Sequence, residues 1–202
     1  MKRQPQLWNH NYAYHRWISK NVGNRKHILD VGCGNGVLAR YLSTAGNHVL
    51  GIDPSAVSIQ YAIRNNEKSN VSFLQTTFED FQSDGKRFDA IIFVASIHHM
   101  NMEDAIDKAK KMMDENGILI IVGLSRPSGV FDWVLELARI VPSKLISAIK
   151  RNISSEEQQM DVSYDFPAMD EVRRICRAHL RGCKIRYGLH YRYLLTWENC
   201  GT

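Results

Sequence analysis

Residues 27–36 read HILDVGCGNG. The first five of them are a short run that ends on glycines, the pattern of a buried strand. From residue 37 apolar side chains recur at Val37, Leu38, Tyr41, Leu42 and Ala45, which is helical spacing. The stretch is therefore a strand, a glycine turn and a helix. Gly32, Gly34 and Gly36 lack a Cβ, so the chain can turn tightly and lay its backbone against a ligand. A dinucleotide site spaces its glycines as GxGxxG, with a longer loop that wraps a pyrophosphate. Here the spacing is GxGxG and an acid, Asp30, stands before it. That arrangement suits a cationic group such as an α-ammonium.

Working outward, the same rhythm repeats. Residues 48–52 (HVLGI) predict a second strand, and Ser55 offers an N-cap for a helix to about residue 65. Residues 71–75 predict a third strand. Residues 89–95 (DAIIFVA) are the most continuously apolar run, as a central strand buried on both faces requires. Residues 103–113 predict a helix with acids near its start and lysines near its end, which complements the helix dipole. Asn116 and Gly117 then turn the chain into a fifth strand, 118–124. Strands alternating with helices predict an α/β, doubly wound, Rossmann-like domain with a parallel sheet. Beyond it, residues 128–153 read as two amphipathic helices hinged at Pro142, within an insertion spanning 128–165. Residues 168–180 predict one more helix. The β-rich stretches 184–188 and 191–197 predict an antiparallel hairpin at a sheet edge.

The chain has 202 residues, 44% of them apolar and 23% charged, which fits one globular domain with a sizeable core. Its segments are an N-terminal lid or helix over 1–24, a cofactor-binding core over 25–125, the insertion, and the C-terminal helix and hairpin over 168–202. Four cysteines without a CxxC pair point to a reduced, cytoplasmic setting. No apolar run is long enough for a membrane span, and the basic start has no apolar region behind it. The formal net charge of +5 is unevenly placed: +6 over residues 1–27, −5 over 28–138 and +4 over 139–202. The cofactor core is thus acidic between basic ends. That weakens a nucleic-acid reading and favours an acceptor with an anionic group, or an acidic surface against the ends.

Asp53 closes the second strand within GIDPS. An acid there can accept both hydroxyls of a ribose, or it can cap the following helix, a task for which Ser55 is better suited. Taken together these residues resemble the class I S-adenosylmethionine-dependent methyltransferases, in their small-molecule branch. ILDVGCGNG is similar to that family's first motif and GIDPS to its second. VSFLQTTFEDF resembles its third-strand segment, FDAIIFVASIHHM its fourth motif, and MMDENGILIIVG the stretch before strand five. The resemblance covers residues 25–125 closely and the C-terminal hairpin loosely. It implies a seven-stranded, mostly parallel sheet whose last strand is antiparallel, and S-adenosylmethionine as cofactor. It places Asp30, Gly32, Cys33, Gly34 and Gly36 around the methionine moiety, Cys33 through its backbone. Asp53 would hold the ribose, with Pro54 and Ser55 beside the adenine and Ala95 and Ser96 at the end of strand four. The family often has an acid after strand three that binds the adenine amine. Thr77 stands at that position here, leaving Thr77, Phe78 and Glu79 to share the adenine contacts.

His98 and His99 follow the fourth strand, in the crevice where open α/β sheets bind ligands. Either is a candidate general base. Each could instead hydrogen-bond backbone and shape its loop. Residues 8–17 are dense in aromatic and histidine side chains, among them Trp8, His10, Tyr12, Tyr14, His15 and Trp17. They read equally as a lid over the cofactor, with His10 a further base, or as a helix docked on the sheet. A wall of this kind suits an aromatic or planar acceptor. In the insertion, Phe131, Trp133 and Leu135 line a pocket or pack on the sheet. Adjacent histidines cannot present both rings to one ion, so no metal is expected.

The expected activity is in-line transfer of a methyl group to an O, N or C nucleophile of a small molecule. Three alternatives stand beside it: a nucleic-acid methyltransferase, an NAD-dependent dehydrogenase and a non-catalytic cofactor binder. Ala95-Ser96-Ile97-His98 lacks the NPPY-type motif of enzymes that methylate base amines, and GxGxG is the wrong spacing for NAD. The intact glycine loop with Asp53 counts against a degenerate site.

Overall fold

The computed structural model describes residues 12–43, 46–126, 166–188 and 192–200. In chain order the elements are α1 (Tyr12–Val22), β1 (His27–Val31), α2 (Val37–Leu42), β2 (His48–Asp53), α3 (Ala56–Arg64), β3 (Val71–Gln75), β4 (Phe88–Val94), a 3-10 turn (Ile97–His99), α4 (Met102–Met112), β5 (Met113–Leu124), α5 (Met169–His179), β6 (Lys184–Tyr187) and β7 (Arg192–Glu198). The strands form one seven-stranded sheet in the order β3-β2-β1-β4-β5-β7-β6. β1 to β5 run parallel, and β7 lies antiparallel between β5 and β6. This is the α/β, Rossmann-like sheet expected, with a single reversed strand.

The order places the switch point between β1 and β4, where the chain leaves one half of the sheet and begins the other. Ligand crevices open there, beyond the carboxyl ends of the strands. Alternation along the central strands feeds both faces. Leu29, Val31, Ile91, Phe93, Leu119 and Ile121 face α4 and α5. Ile28, Ala90, Ile92, Ile118, Ile120 and Val122 face α1 and α2. β4 and the second half of β5 are buried on both sides, which accounts for their unbroken apolar sequence.

Helix α1 carries Tyr14, Ile18 and Val22 at four-residue spacing, and all three sit in the second of these cores. Of the two readings of the N-terminal stretch, Tyr12–Val22 follows the docked helix, with Trp17 packed against the same core. Helix α4 begins one residue before its expected start because Asn101 caps it, its side-chain oxygen accepting from the Glu103 and Asp104 amides.

Two local expectations are corrected. β5 starts at Met113, not at residue 118, because Met113 already pairs with Phe88; Asn116, with φ of 63°, takes the turn inside the strand. The connection from β3 to β4 has only turns over residues 76–87, so the alternation of strand and helix skips there. The predicted insertion over 128–165 lies outside the described residues, and Arg126 and Phe166 are the described residues that flank it. Arg126 pairs with Ala168, and its amide donates to the Pro167 carbonyl, which pins the start of α5 to the end of β5. Among the described residues no helix is long and apolar enough to cross a membrane.

Candidate active site

The loop after β1 is built from backbone held in unusual conformations. Gly32, Gly34 and Gly36 have φ of 73°, 51° and 69°. A Cβ on Gly32 would lie 2.4 Å from Ser96 Cβ, so glycine is required there by crowding as well as by φ. At Gly34 a Cβ would meet no protein atom within 4 Å. Its φ still demands glycine, but the space beside it is open.

The loop is tied to β2 by three amides. Gly32 and Cys33 donate to the Ile52 carbonyl at 2.8 and 3.0 Å, and Gly34 donates to Asp53 Oδ2 at 2.9 Å. The other oxygen of Asp53 accepts from the Ser55 amide at 2.9 Å. Ser55 caps α3 as expected, accepting from the Ser58 amide at 3.3 Å. Asp53 therefore supports the backbone on both sides while still having lone-pair directions left for another donor.

Asp30 points up from β1 beneath this loop. It is 1% exposed. The Ala39 amide, in the first turn of α2, is near enough to favour the charged form of the Asp30 carboxylate. Its Oδ2 is buried without a hydrogen-bond partner. Burial first, and then the Asp53 charge, push the Asp30 pKa up to about 7. The Cys33 thiol is likewise pushed up by burial and by both carboxylates, so it stays protonated and inert.

The wall opposite comes from the end of β4. Ala95 takes φ of 52°, rare for a residue with a side chain, while its amide donates to the Val122 carbonyl at 2.8 Å. This bend turns Ser96 back over Gly32, where its hydroxyl donates to the Val31 carbonyl at 2.7 Å. The strand ends of β1, β2 and β4 thus meet around the Gly32–Gly36 loop, with Asp30 buried beneath it and open space beside Gly34.

A family model described as "Methyltransferase domain" matches residues 28–117, the span that builds this space. A ubiquinone biosynthesis O-methyltransferase of Rickettsia akari is 33% identical over 144 residues, covering 69% of this chain and 53% of its own length. The chain thus spans about half the length of that relative. An uncharacterised methyltransferase of Mycobacterium bovis is 26% identical over 196 residues, covering 96% of this chain and 98% of its own. Among solved structures, the plantazolicin methyltransferase BpumL in complex with S-adenosylhomocysteine (SAH) superposes with a TM-score of 0.68 at 17% identity, over 94% of this chain and 83% of its own.

Residues 28–117 thus match the methyltransferase family model, and the chain has the fold of SAH-bound methyltransferase structures. Within this fold the remaining residues singled out from the sequence are placed as follows. Pro54 and Ser55 lie exposed just past Asp53. Thr77 is committed elsewhere: its hydroxyl is 2.8 Å from Asp80 Oδ2 and also accepts the Asp80 amide at 3.0 Å, closing the turn after β3. Phe78 is a correction. It is 3% exposed and packs edge-on against Phe93 at 5.2 Å, so it belongs to the core rather than to an adenine wall. Glu79 is exposed, and its carbonyl accepts from Lys108.

His98 and His99 sit in the 3-10 turn after β4, their ring centroids 4.1 Å apart. His99 is exposed. His98 is half-buried, lies edge-on to Phe166 at 5.1 Å, and has a buried Nδ1 without a partner. Burial, then His99 and Arg192, lower its pKa to about 4, so its ring is neutral at ordinary pH. His10 lies outside the described residues, as do Trp8, Phe131, Trp133 and Leu135. Sequence reasoning passed over Phe166 and Arg192 as neighbours of His98. The one signal was a charged residue directly ahead of the apolar run Tyr193–Leu195 in the last strand.

Proposed function

We propose that this chain transfers a methyl group from S-adenosylmethionine to a small-molecule acceptor, and that the cofactor occupies the space over Asp30. One observation carries this: a buried carboxylate oxygen with no partner beside a loop that leaves open space at Gly34. An α-ammonium group fits both. It would give Asp30 Oδ2 a charged hydrogen bond and hold the carboxyl ionised. Asp53 keeps acceptor capacity for a ribose diol, Pro54, Ser55, Thr77 and Glu79 border the base, and Ala95 and Ser96 close the far side.

Bound there, the cofactor would supply an electrophilic methyl group on its sulfonium, which would become a neutral thioether after transfer. The protein has little covalent chemistry left to do. Its residues position the acceptor, exclude water and receive a proton where the acceptor carries one. Neutral His98, at the same end of the sheet, is the group to take that proton, with exposed His99 as its neighbour. The acceptor supplies an O, N or C nucleophile; relatives named ubiquinone biosynthesis O-methyltransferases support a small molecule over a nucleic acid.

The test is calorimetric titration with SAH, the demethylated product. Micromolar binding by the wild type is expected, with at least a tenfold loss in Asp30→Asn. No binding by the wild type overturns the proposal.

A further inference from the structure

The sheet ends in two edge strands, β6 and β3, and they are built differently. β6 reads Lys184-Ile185-Arg186-Tyr187, with Lys184 and Arg186 exposed. Cations at alternate positions are a common guard against pairing with another chain. β3 reads Val71-Ser72-Phe73-Leu74-Gln75, with no charge, no proline and no break in its register with β2. The exposed large apolar side chains among the described residues all belong to β3 and to the helices packed on its side of the sheet. They are Leu74, then Val57, Tyr61 and Ile63 on α3, and Tyr41 on α2.

Hydrogen bonding leaves a defined part of the β3 edge open. The Val49 amide donates to the Asn70 carbonyl and the Thr76 amide to the Asp53 carbonyl, so residues 70, 72, 74 and 76 turn their backbone groups toward β2. Val71, Phe73 and Gln75 turn theirs outward. Val71 is already used: its amide donates to the Lys68 carbonyl at 3.4 Å, and its carbonyl accepts from Asn66 Nδ2 at 2.9 Å. Among the described residues nothing pairs with the amides and carbonyls of Phe73 and Gln75.

We infer that β3 is a self-association edge, pairing antiparallel with β3 of a second copy of this chain about a two-fold axis at Leu74. In that register Phe73 of each copy faces Gln75 of the other, and each such pair exchanges two hydrogen bonds, which uses every open group. The two Leu74 side chains, each 45% exposed in the single chain, then lie side by side. They meet on the face opposite Phe73, where Ser72 and Leu74 line a cleft of about 330 Å³ with Leu50 and Phe81 and no helix follows β3. Charge favours the same partner. Arg64, Glu67 and Lys68 lead into β3 with a net charge of +1, whereas Glu79 and Asp80, with Lys108 bonded to the Glu79 carbonyl, leave −1 after it. Antiparallel pairing sets these ends against each other. Residues 37–82 carry −1 in a chain of +5, so two copies of a basic protein meet here with little repulsion. Once β3 is paired the remaining edges are the two β6 strands with their cations, and assembly stops at a closed dimer.

The inference does not depend on the methyltransferase reading. Sedimentation velocity of the full chain over a wide concentration range should show a monomer–dimer equilibrium. Leu74→Lys sets two cations opposite each other at the axis and should weaken the dimer at least tenfold, while circular dichroism and the thermal melt stay those of the wild type. Residues opposed in such a pair have Cα atoms about 4.5 Å apart, within disulfide reach. Leu74→Cys treated with diamide should therefore give a covalent dimer above the background of the wild type with its exposed Cys200. Ser72→Cys, which faces residue 76 of the other copy, should not. A chain that stays monomeric overturns the inference and leaves the edge to an extended segment of another protein. A dimer that survives Leu74→Lys, or Ser72→Cys cross-linking as readily as Leu74→Cys, overturns it by placing the contact elsewhere.

Discussion

The Gly34 amide donates to the Asp53 carboxylate at 2.9 Å, across 19 residues of sequence. One acid at the end of β2 therefore holds the loop at the end of β1, and through its other oxygen it holds the entry to α3. The two halves of the candidate site form a single braced unit.

Asp53→Ala removes both acceptors at once. Hydrogen bonds to a charged group contribute about 1.5–3 kcal/mol each, and the two amides regain part of that from water. A stability loss of roughly 2 kcal/mol is expected by urea denaturation, with at least a tenfold loss of SAH affinity by calorimetry. Unchanged affinity would show that Asp53 serves the backbone only.

Gly32→Ala and Gly34→Ala separate crowding from ligand approach. Both place a side chain at positive φ, which costs about 1–2 kcal/mol. At Gly32 the new methyl also meets Ser96 Cβ at 2.4 Å, which adds roughly 1–3 kcal/mol of overpacking. Thermal melts should therefore show Gly32→Ala as the less stable variant, partly rescued by a second change, Ser96→Gly. Gly34→Ala should stay folded yet lose most of its SAH binding, because its methyl would enter open space proposed for the cofactor, where no protein atom lies within 4 Å.

Asp30 makes stability fall as pH rises. Its folded pKa of about 7 lies above its ordinary value of 3.8, so the folded chain keeps a proton that the unfolded chain has released. That contribution is whole below about pH 4, declines up to about pH 7 and is absent above. Asp30→Asn, which mimics the neutral acid, should abolish this slope and be the more stable protein at pH 8, as read by urea melts across pH. SAH binding should tighten as pH rises toward 7 and release a proton, measurable by calorimetry in buffers of different ionisation enthalpy.

His98 has the opposite sign. Its folded pKa of about 4 lies below the ordinary 6.5, so the neutral ring supports the fold above pH 6.5 and that support is lost as pH falls toward 4. The His98 ring resonance in NMR should therefore remain in its neutral position at pH 5. His98→Gln should lower kcat for a hydroxyl acceptor while removing no inflection near pH 6.5 from the rate profile. A resonance that titrates at 6.5 would count against a desolvated ring.

Much of the fold was legible in HILDVGCGNG and its repeats. Strand β1 falls on the residues predicted, and Ser55 and the hairpin of β6 and β7 stand where turn and cap chemistry put them. Local patterns of this kind depend on neighbours a few residues away, which the chain carries with it. Phe78 was misread for the complementary reason. An aromatic after β3 looks the same in sequence whether it faces a ligand or Phe93, and only the meeting of β4 with that turn decides it.

By itself the sequence determined a glycine loop after a buried strand, an acid at each of the first two strand ends, and therefore a parallel sheet with a cofactor crevice. Glycine spacing and strand period are properties of the backbone, and they survive without knowledge of distant contacts. Tertiary structure alone decided that Asp30 keeps an oxygen free, that Gly34 rests on Asp53, and that His98 is neutral next to Arg192. Each of these depends on groups far apart in the chain being brought together out of water, where desolvation and a single neighbouring charge outweigh the intrinsic chemistry of the side chain.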